Sequence, residues 1–231
     1  MKRPSPHDRL LAVADAATEV FGRLGYRRTR MADVAATAGM SSGAIFTYVE
    51  SKEALFHLVF VRGFGQLDES LPPLPMATPS REETIALIEQ NFRKIPTPRM
   101  RAALAEDKPA DVRIELRGIL EERYDMIAAL WPLLAVMERC AVDLPELEAF
   151  YFGRARVAYF ARLTRYLEDR AANGYLRAMP DASVTARLVT ESVAWFAWKR
   201  HQGRDADLYD DAVVRRTVVE FVCAALLEPE L

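Results

Sequence analysis

The chain is poor in the side chains from which enzymes build nucleophilic or metal chemistry. His7, His57 and His201 are its three histidines, and none lies in an HExxH pattern or at a His/carboxylate spacing. No GxSxG elbow or phosphate-cradling P-loop is present, and Gly63-Phe64-Gly65 lacks both the strand and the third glycine of a dinucleotide turn. Cys140 and Cys223 are far apart and match no zinc-ligand spacing, so they read as two buried thiols in a reducing compartment. No catalytic residue, metal site or cofactor is therefore expected. A different chemistry is concentrated between Thr29 and Lys52. Thr29 and Arg30, at the start of a short helix, can offer hydroxyl, guanidinium and free N–H groups to a phosphate. Ser42, Gly43, Ala44 and Thr47 present small polar groups and methyls of the kind that meet base edges and thymine methyls.

The elements that must hold these groups are helical. Leu10, Ala14, Ala17, Phe21 and Leu24 recur at spacings of four and three, which predicts an amphipathic helix over 8–24 that stops at Gly25. A second helix is expected over Met31 to Ala38, with Thr29 as its cap and Gly39 as its stop. A third, short helix over Ser42 to Tyr48 is capped by Ser41 or Ser42 and turns Ile45 and Val49 inward. A fourth begins at Ser51. Two short helices joined by a tight glycine turn and braced by a longer one make a helix-turn-helix. In that arrangement the first lies across the phosphate backbone and the second enters the major groove. Thr29 can serve as cap, as phosphate ligand or as both, and Gly43 can be a base-facing position or simply allow close approach.

The segment "TRMADVAATAGMSSGAIFTYVESKEAL" resembles the DNA-binding signature of TetR/AcrR-type transcriptional regulators in order, spacing and residue type. The likeness covers roughly residues 8–58. It departs at Val49, where the family more often has Phe, and at Phe46, where a tyrosine is usual and its hydroxyl meets a phosphate. The resemblance implies a DNA-contacting set of Thr29, Arg30, Ser41, Ser42, Gly43, Ala44, Phe46, Thr47, Tyr48 and Lys52, with Tyr48 and Lys52 as phosphate clamps.

Charge is distributed in keeping with that expectation. The chain carries −2 overall, yet residues 1–62 hold nine Lys/Arg against six Asp/Glu. That leaves +3 on the head and −5 on the remainder. A basic head on an acidic body suits contact with a polyanion through the head alone. The longest apolar run, Met126 to Met137, is interrupted by Pro132 and falls short of the ~20 residues of a membrane helix. The N-terminal "MKRPSPHDRL" lacks an apolar stretch to follow its charge, so no signal peptide and no membrane partner are expected, and a cytoplasmic address follows.

Four of the thirteen prolines lie in or beside "SLPPLPMATPS", which reads as a loop between a domain over 1–64 and a larger one over 65–231. Helical periodicity then predicts Glu82 to Lys94, Pro109 to Trp131, Pro132 to Ala141, Pro145 to Ala172, Ala182 to His201 and Asp211 to Leu227. The fold class is all-α. The last two of these helices carry apolar residues on more than one face: Val189, Val193 and Phe196 on one side of the first with Leu188 and Trp195 on another, and Val214, Val218, Phe221 and Ala225 on the second. The resemblance implies a homodimer with Val189, Val193, Phe196, Val214, Val218 and Phe221 at its interface. It also implies a small-molecule effector enclosed near Phe92, Met126, Leu130, Trp131, Met137, Phe150, Phe160, Tyr166 and Trp195, with Pro132 opening space beside Trp131. A repressor that leaves a palindromic operator when the effector binds is the implied function. An α-helical adaptor or an enzyme that does not bind DNA is the alternative.

Overall fold

In the computed structural model, residues 5–69, 72–203 and 208–228 are described. The expectations placed on the first four residues, and on Ser70 and Leu71 of the proline-rich loop, lie outside these ranges. Among the described residues the chain is all-α. The elements are α1 (Pro6–Leu24), α2 (Met31–Thr37), a single 3₁₀ turn (Ala44–Thr47), α3 (Lys52–Gly63), α4 (Gln66–Glu69), α5 (Arg81–Lys94), α6 (Pro98–Ala105), α7 (Val112–Ala141), α8 (Pro145–Glu148), a π-helical turn (Ala149–Ala155), α9 (Arg156–Ala172), α10 (Ala182–Ala197), a 3₁₀ turn (Lys199–Gln202) and α11 (Asp211–Leu226). The only extended pairing among them is an isolated parallel bridge between Val49 and Met76.

Packing divides the chain into two compact units. The first comprises Met1–Ile95 with Pro132–Gly153, and the second Pro96–Trp131 with Arg154–Leu231. In the first unit α1 begins earlier than its apolar stripe suggests. The Ser5 hydroxyl accepts from Asp8 N–H at 3.1 Å while the Asp8 carboxylate takes Ser5 N–H at 2.9 Å, a reciprocal cap that extends the helix to Pro6. Leu10, Val13, Ala14, Ala17, Val20 and Phe21 of α1 are fully buried with Val34, Ala35, Ile45, Leu55, Leu58, Val59 and Phe60. An aromatic series continues this core, because Phe21, Phe56 and Phe60 meet edge to face, and Phe64, Phe92 and Phe150 extend it. Each buried phenylalanine contributes about 1.5–3 kcal/mol of transfer free energy. Gly63 is where α3 comes close to α7, since a Cβ there would lie 2.5 Å from Leu133 side-chain atoms.

Buried arginines mark the second unit. The Arg170 guanidinium is 1% exposed and holds the turn after α6 by donating to the Ala103 and Glu106 carbonyls, while pairing with Glu115 at 2.9 Å. Arg200 is equally buried and pairs with Asp211 at the start of α11. Buried charges need such partners, because an unpaired guanidinium in this setting would be strongly destabilising.

Three helix boundaries differ from the periodicity. Pro132 does not break α7, which is continuous from Val112 to Ala141. One ladder N–H is missing from the thirty residues, while Leu133 and Leu134 just beyond the proline are buried and hold the helix in place. The span expected as one helix from Pro145 to Ala172 is divided by the π-helical turn at Ala149–Ala155. The last part of the expected helix over 182–201 tightens into the 3₁₀ turn Lys199–Gln202.

Candidate nucleic-acid interface

The groups between Thr29 and Lys52 are set by two glycine turns. Gly25 has φ +81° and ends α1, and Gly39 has φ +67° and ends α2, both in the left-handed region where a side chain is strained. After Gly39 the Met40 N–H donates to Ala35 O at 2.9 Å, closing α2 and releasing the chain toward the reading element. That element is shorter and tighter than the helix expected over Ser42 to Tyr48. It is one 3₁₀ turn, Ala44–Thr47, with no side-chain cap from Ser41 or Ser42. Its alternation of burial is sharp. Ile45 and Val49 are 0% exposed, whereas Ser41, Ser42, Gly43, Phe46 and Thr47 face solvent, and Ala44 and Tyr48 are half-buried. The Thr47 hydroxyl donates to Ala44 O at 2.7 Å, which commits its proton to the backbone. The large exposed side chain on this turn is Phe46, at 48%.

Thr29 is not the cap of α2. It is 1% exposed, and its hydroxyl donates to Gly25 O at 2.7 Å, bracing the turn that follows α1. The N-terminus of α2 is served instead by Asp33, whose carboxylate accepts the Arg30 N–H at 3.0 Å. The same Gly25 carbonyl also accepts the Thr29 N–H at 3.3 Å, so both donors of Thr29 close that turn. Arg30 itself is exposed.

Lys52 is half-buried and tied to the protein. Its ammonium donates to Thr29 O at 3.1 Å and to Arg27 O at 3.3 Å, and it sits 4.6 Å from the centre of the Tyr26 ring. Two of its three donors are thus spent on carbonyls left free after α1, and the cation–π contact fixes the rest of the side chain. The Tyr26 hydroxyl donates to Glu53 Oε1 at 2.9 Å, and burial together with that carboxylate pushes the phenol's pKa up. Arg27 N–H donates to Asp143 Oδ2 at 2.8 Å and Arg28 Nε to Leu24 O at 3.0 Å, so the same turn is held from several directions. Of these brackets, the bonds from Lys52 and to Asp143 and Glu53 were invisible to helical periodicity, because they join residues far apart in the chain.

The arrangement presents an exposed arginine at the N-terminus of one short helix, followed by a turn offering small polar groups and methyls outward from an apolar base. That is the geometry of a helix-turn-helix that reads duplex edges. The family described as "Bacterial regulatory proteins, tetR family" matches residues 13–59, which contain this whole constellation.

Residues 13–59 thus carry the tetR-family match.

The chain is 34% identical over 92 residues to the uncharacterized HTH-type transcriptional regulator YhgD of Bacillus subtilis, covering 38% of this chain and 47% of that protein. The chain thus aligns with about half the length of this curated relative. The ketosteroid transcriptional regulator KstR2 of Mycobacterium tuberculosis has a similar fold at 17% identity, with TM-score 0.57 over 99% of this chain and 98% of that one. So does AibR, solved in complex with isovaleryl coenzyme A and operator DNA, at 18% identity and TM-score 0.51 over 92% and 97% of the two chains.

The apolar faces of α10 and α11 fall differently from their periodicity. Val189, Val193, Val214 and Val218 are buried inside the second unit, and Phe196 is half-buried. The apolar side chains left exposed on these helices are Val184, Leu188 and Trp195 of α10 with Val213 and Phe221 of α11, the last at 72%. Phe221 is therefore the one residue of the expected interface set that is exposed. The nine residues expected around an effector are divided between the units. Phe92, Met137 and Phe150 belong to the first, where Phe92 and Phe150 meet edge to face; Met126, Leu130, Trp131, Phe160, Tyr166 and Trp195 belong to the second. Within the second, Trp131 stacks on His201 at 5.5 Å, Phe160 lies beneath the Arg187 guanidinium at 4.8 Å, and Trp195 packs edge to face on Phe196 at the exposed side of α10. Burial raises the pKa of both Cys140 and Cys223, away from thiolate chemistry.

Proposed function

We propose that the protein is a homodimeric transcriptional repressor of the bacterial cytoplasm that binds a palindromic operator and releases it when a small, apolar or aromatic effector binds. In this reading residues 1–64 are the DNA-binding domain and 65–231 the effector-binding and dimerisation domain. The observation that carries it is the alternation on the reading turn: Ile45 and Val49 wholly buried, Ser42, Gly43, Phe46 and Thr47 outward, next to exposed Arg30. Arg30 and the free N–H groups opening α2 would hold a phosphate, and Ala44, Phe46 and the Thr47 methyl would meet thymine methyls in the major groove.

Dimerisation is supported by the exposed large apolar side chains of α10 and α11, Val184, Leu188, Trp195, Val213 and Phe221, which a second copy would cover. A two-fold dimer reads two half-sites related by palindromy. Release requires only that the effector favour the conformation with wrongly spaced reading turns, a coupling of about 1–3 kcal/mol. AibR, a distant structural relative, is recorded with both a coenzyme A ester and operator DNA, in keeping with such a two-ligand protein. The test is enrichment of bound duplexes from a random DNA pool by the purified protein at physiological salt. A palindrome among the survivors supports the reading, and no enrichment by folded protein overturns it.

A further inference from the structure

The DNA-reading turn is too short to hold its own shape. A single 3₁₀ turn has few internal bonds and poor hydrogen-bond geometry, so its orientation must be imposed from outside. Part of that constraint comes from a distant piece of chain. Beyond Pro75 the backbone returns to the end of the reading turn, where Met76 N–H donates to Tyr48 O at 2.8 Å and Glu50 N–H donates to Met76 O at 3.1 Å. Val49 and Met76 form one parallel rung, and both side chains are buried. Two residues on, Thr78 N–H donates to Glu50 Oε2 at 3.0 Å, and the Thr78 hydroxyl donates to Ser51 Oγ at 2.8 Å. Ser51 Oγ also accepts the Ala54 N–H as the cap of α3, so Thr78 is bonded to the residue that starts that helix.

The same segment leads directly into α5. Ser80 accepts the Glu83 N–H at 3.1 Å and Glu83 takes the Ser80 N–H at 2.7 Å, so α5 is capped immediately after Pro79. Thr84, buried in its first turn, lies 2.9 Å from His57 Nδ1 of α3. Hydrogen bonds of this kind tolerate only a few tenths of an ångström. A shift of α5 must therefore either break the rung or carry Tyr48–Ser51 with it.

We propose that Met76–Thr78 is a strap that positions the DNA-reading turn and relays movement of α5 to it, making α5 the input through which the rest of the chain alters operator affinity. This rests on the DNA-reading function proposed above and adds the route by which that site is regulated. The strap residues are positioning residues and touch no DNA themselves.

The test uses the full-length protein and the operator recovered from the random pool. Thr78→Pro removes both Thr78 donors, Thr78→Val removes the hydroxyl alone, and both leave Glu50 and the charge of the DNA-facing side unchanged. Thr78 is exposed, so both variants should fold, which circular dichroism and thermal melting check. The strap predicts that Thr78→Pro lowers operator affinity about 10-fold or more, with affinity for a scrambled duplex and its salt slope within about twofold of wild type, and that Thr78→Val does the same to a smaller degree. A purely structural role would lower melting temperature without changing the operator-to-scrambled ratio. Amide hydrogen exchange on the unmutated protein gives the second readout: operator binding should slow exchange at Glu50, Met76, Thr78 and Thr84. Protection confined to Ser41–Lys52, or wild-type discrimination by Thr78→Pro, overturns the strap while leaving DNA reading intact. A wild-type protein that enriches no sequence removes the DNA-reading function itself, and the strap with it.

Discussion

The reading turn and the α10–α11 face are both exposed, yet they are built in opposite ways. On the turn, the large apolar residues Ile45 and Val49 are fully buried and the outward set is small, apart from Phe46. On α10 and α11 an inner apolar row, Val189, Val193, Val214 and Val218, is buried, and a second row with Leu188, Trp195 and Phe221 remains outside. A surface of the first kind can meet a hydrated, charged duplex without a large desolvation cost. One of the second kind gains most when another apolar surface covers it, at about 25 cal/mol per Å². The contrast shows that burial of one apolar stripe reveals little about a surface until the opposite stripe is examined.

The sharpest way to break the comparison is to charge the second surface. Leu188→Glu with Phe221→Glu should convert the proposed dimer to monomer in sedimentation and weaken operator binding by about 100-fold or more, while the monomer keeps its helical content; a variant that remains dimeric would place the interface elsewhere. Next in size is Lys52→Ala. Because Lys52 bridges the Arg27 and Thr29 carbonyls, its removal should cost about 1–2 kcal/mol in urea unfolding. Arg30→Ala should leave unfolding unchanged and reduce the slope of log affinity against log salt by about one. If Lys52→Ala flattens the salt slope and leaves stability untouched, its ammonium serves the phosphate rather than the turn.

A finer test separates base reading from backbone contact. Thr47→Ser keeps the hydroxyl that bonds Ala44 O and deletes only the methyl, so repeated duplex selection should relax preference at one base pair per half-site, by about 1 kcal/mol, with affinity elsewhere unchanged. The smallest expected effect is a pH dependence within the first unit. Burial lowers the His57 pKa, opposed by the nearby Glu83 carboxylate, so the folded protein holds this imidazole neutral more firmly than the unfolded chain does. Its contribution to stability is present above the unfolded value near 6.5 and is lost as pH falls through the lowered folded value, at less than about 1.4 kcal/mol per pH unit. Urea midpoints at pH 7.5 and 5.5 should therefore converge in His57→Gln relative to wild type.

Much of the first unit was legible because its signals are local. Gly25 and Gly39 lie at positive φ where the amphipathic stripes end, and Ser51 caps α3 through Ala54 N–H as its position suggests. Thr29 misled because a threonine before a helix has two uses, and the carbonyl of Gly25, four residues back, took the hydroxyl. Pro132 misled in the other direction, since a helix of thirty residues absorbs one lost bond. The α10 and α11 stripes were correctly periodic, but periodicity does not say which apolar row a helix spends on its own subunit.

The sequence by itself determined the all-α class, the order of helices around the two glycine turns and the identity of the groups placed on the reading turn. These follow from spacing, capping and backbone freedom within a few residues. Tertiary structure alone decided that Lys52 is held by the carbonyls of residues 27 and 29, that Phe221 rather than Val218 stands outside, and that Met76–Thr78 returns to bond the end of the reading turn. The first and last of these join residues far apart in the chain, and all three depend on where helices pack, which no local pattern encodes.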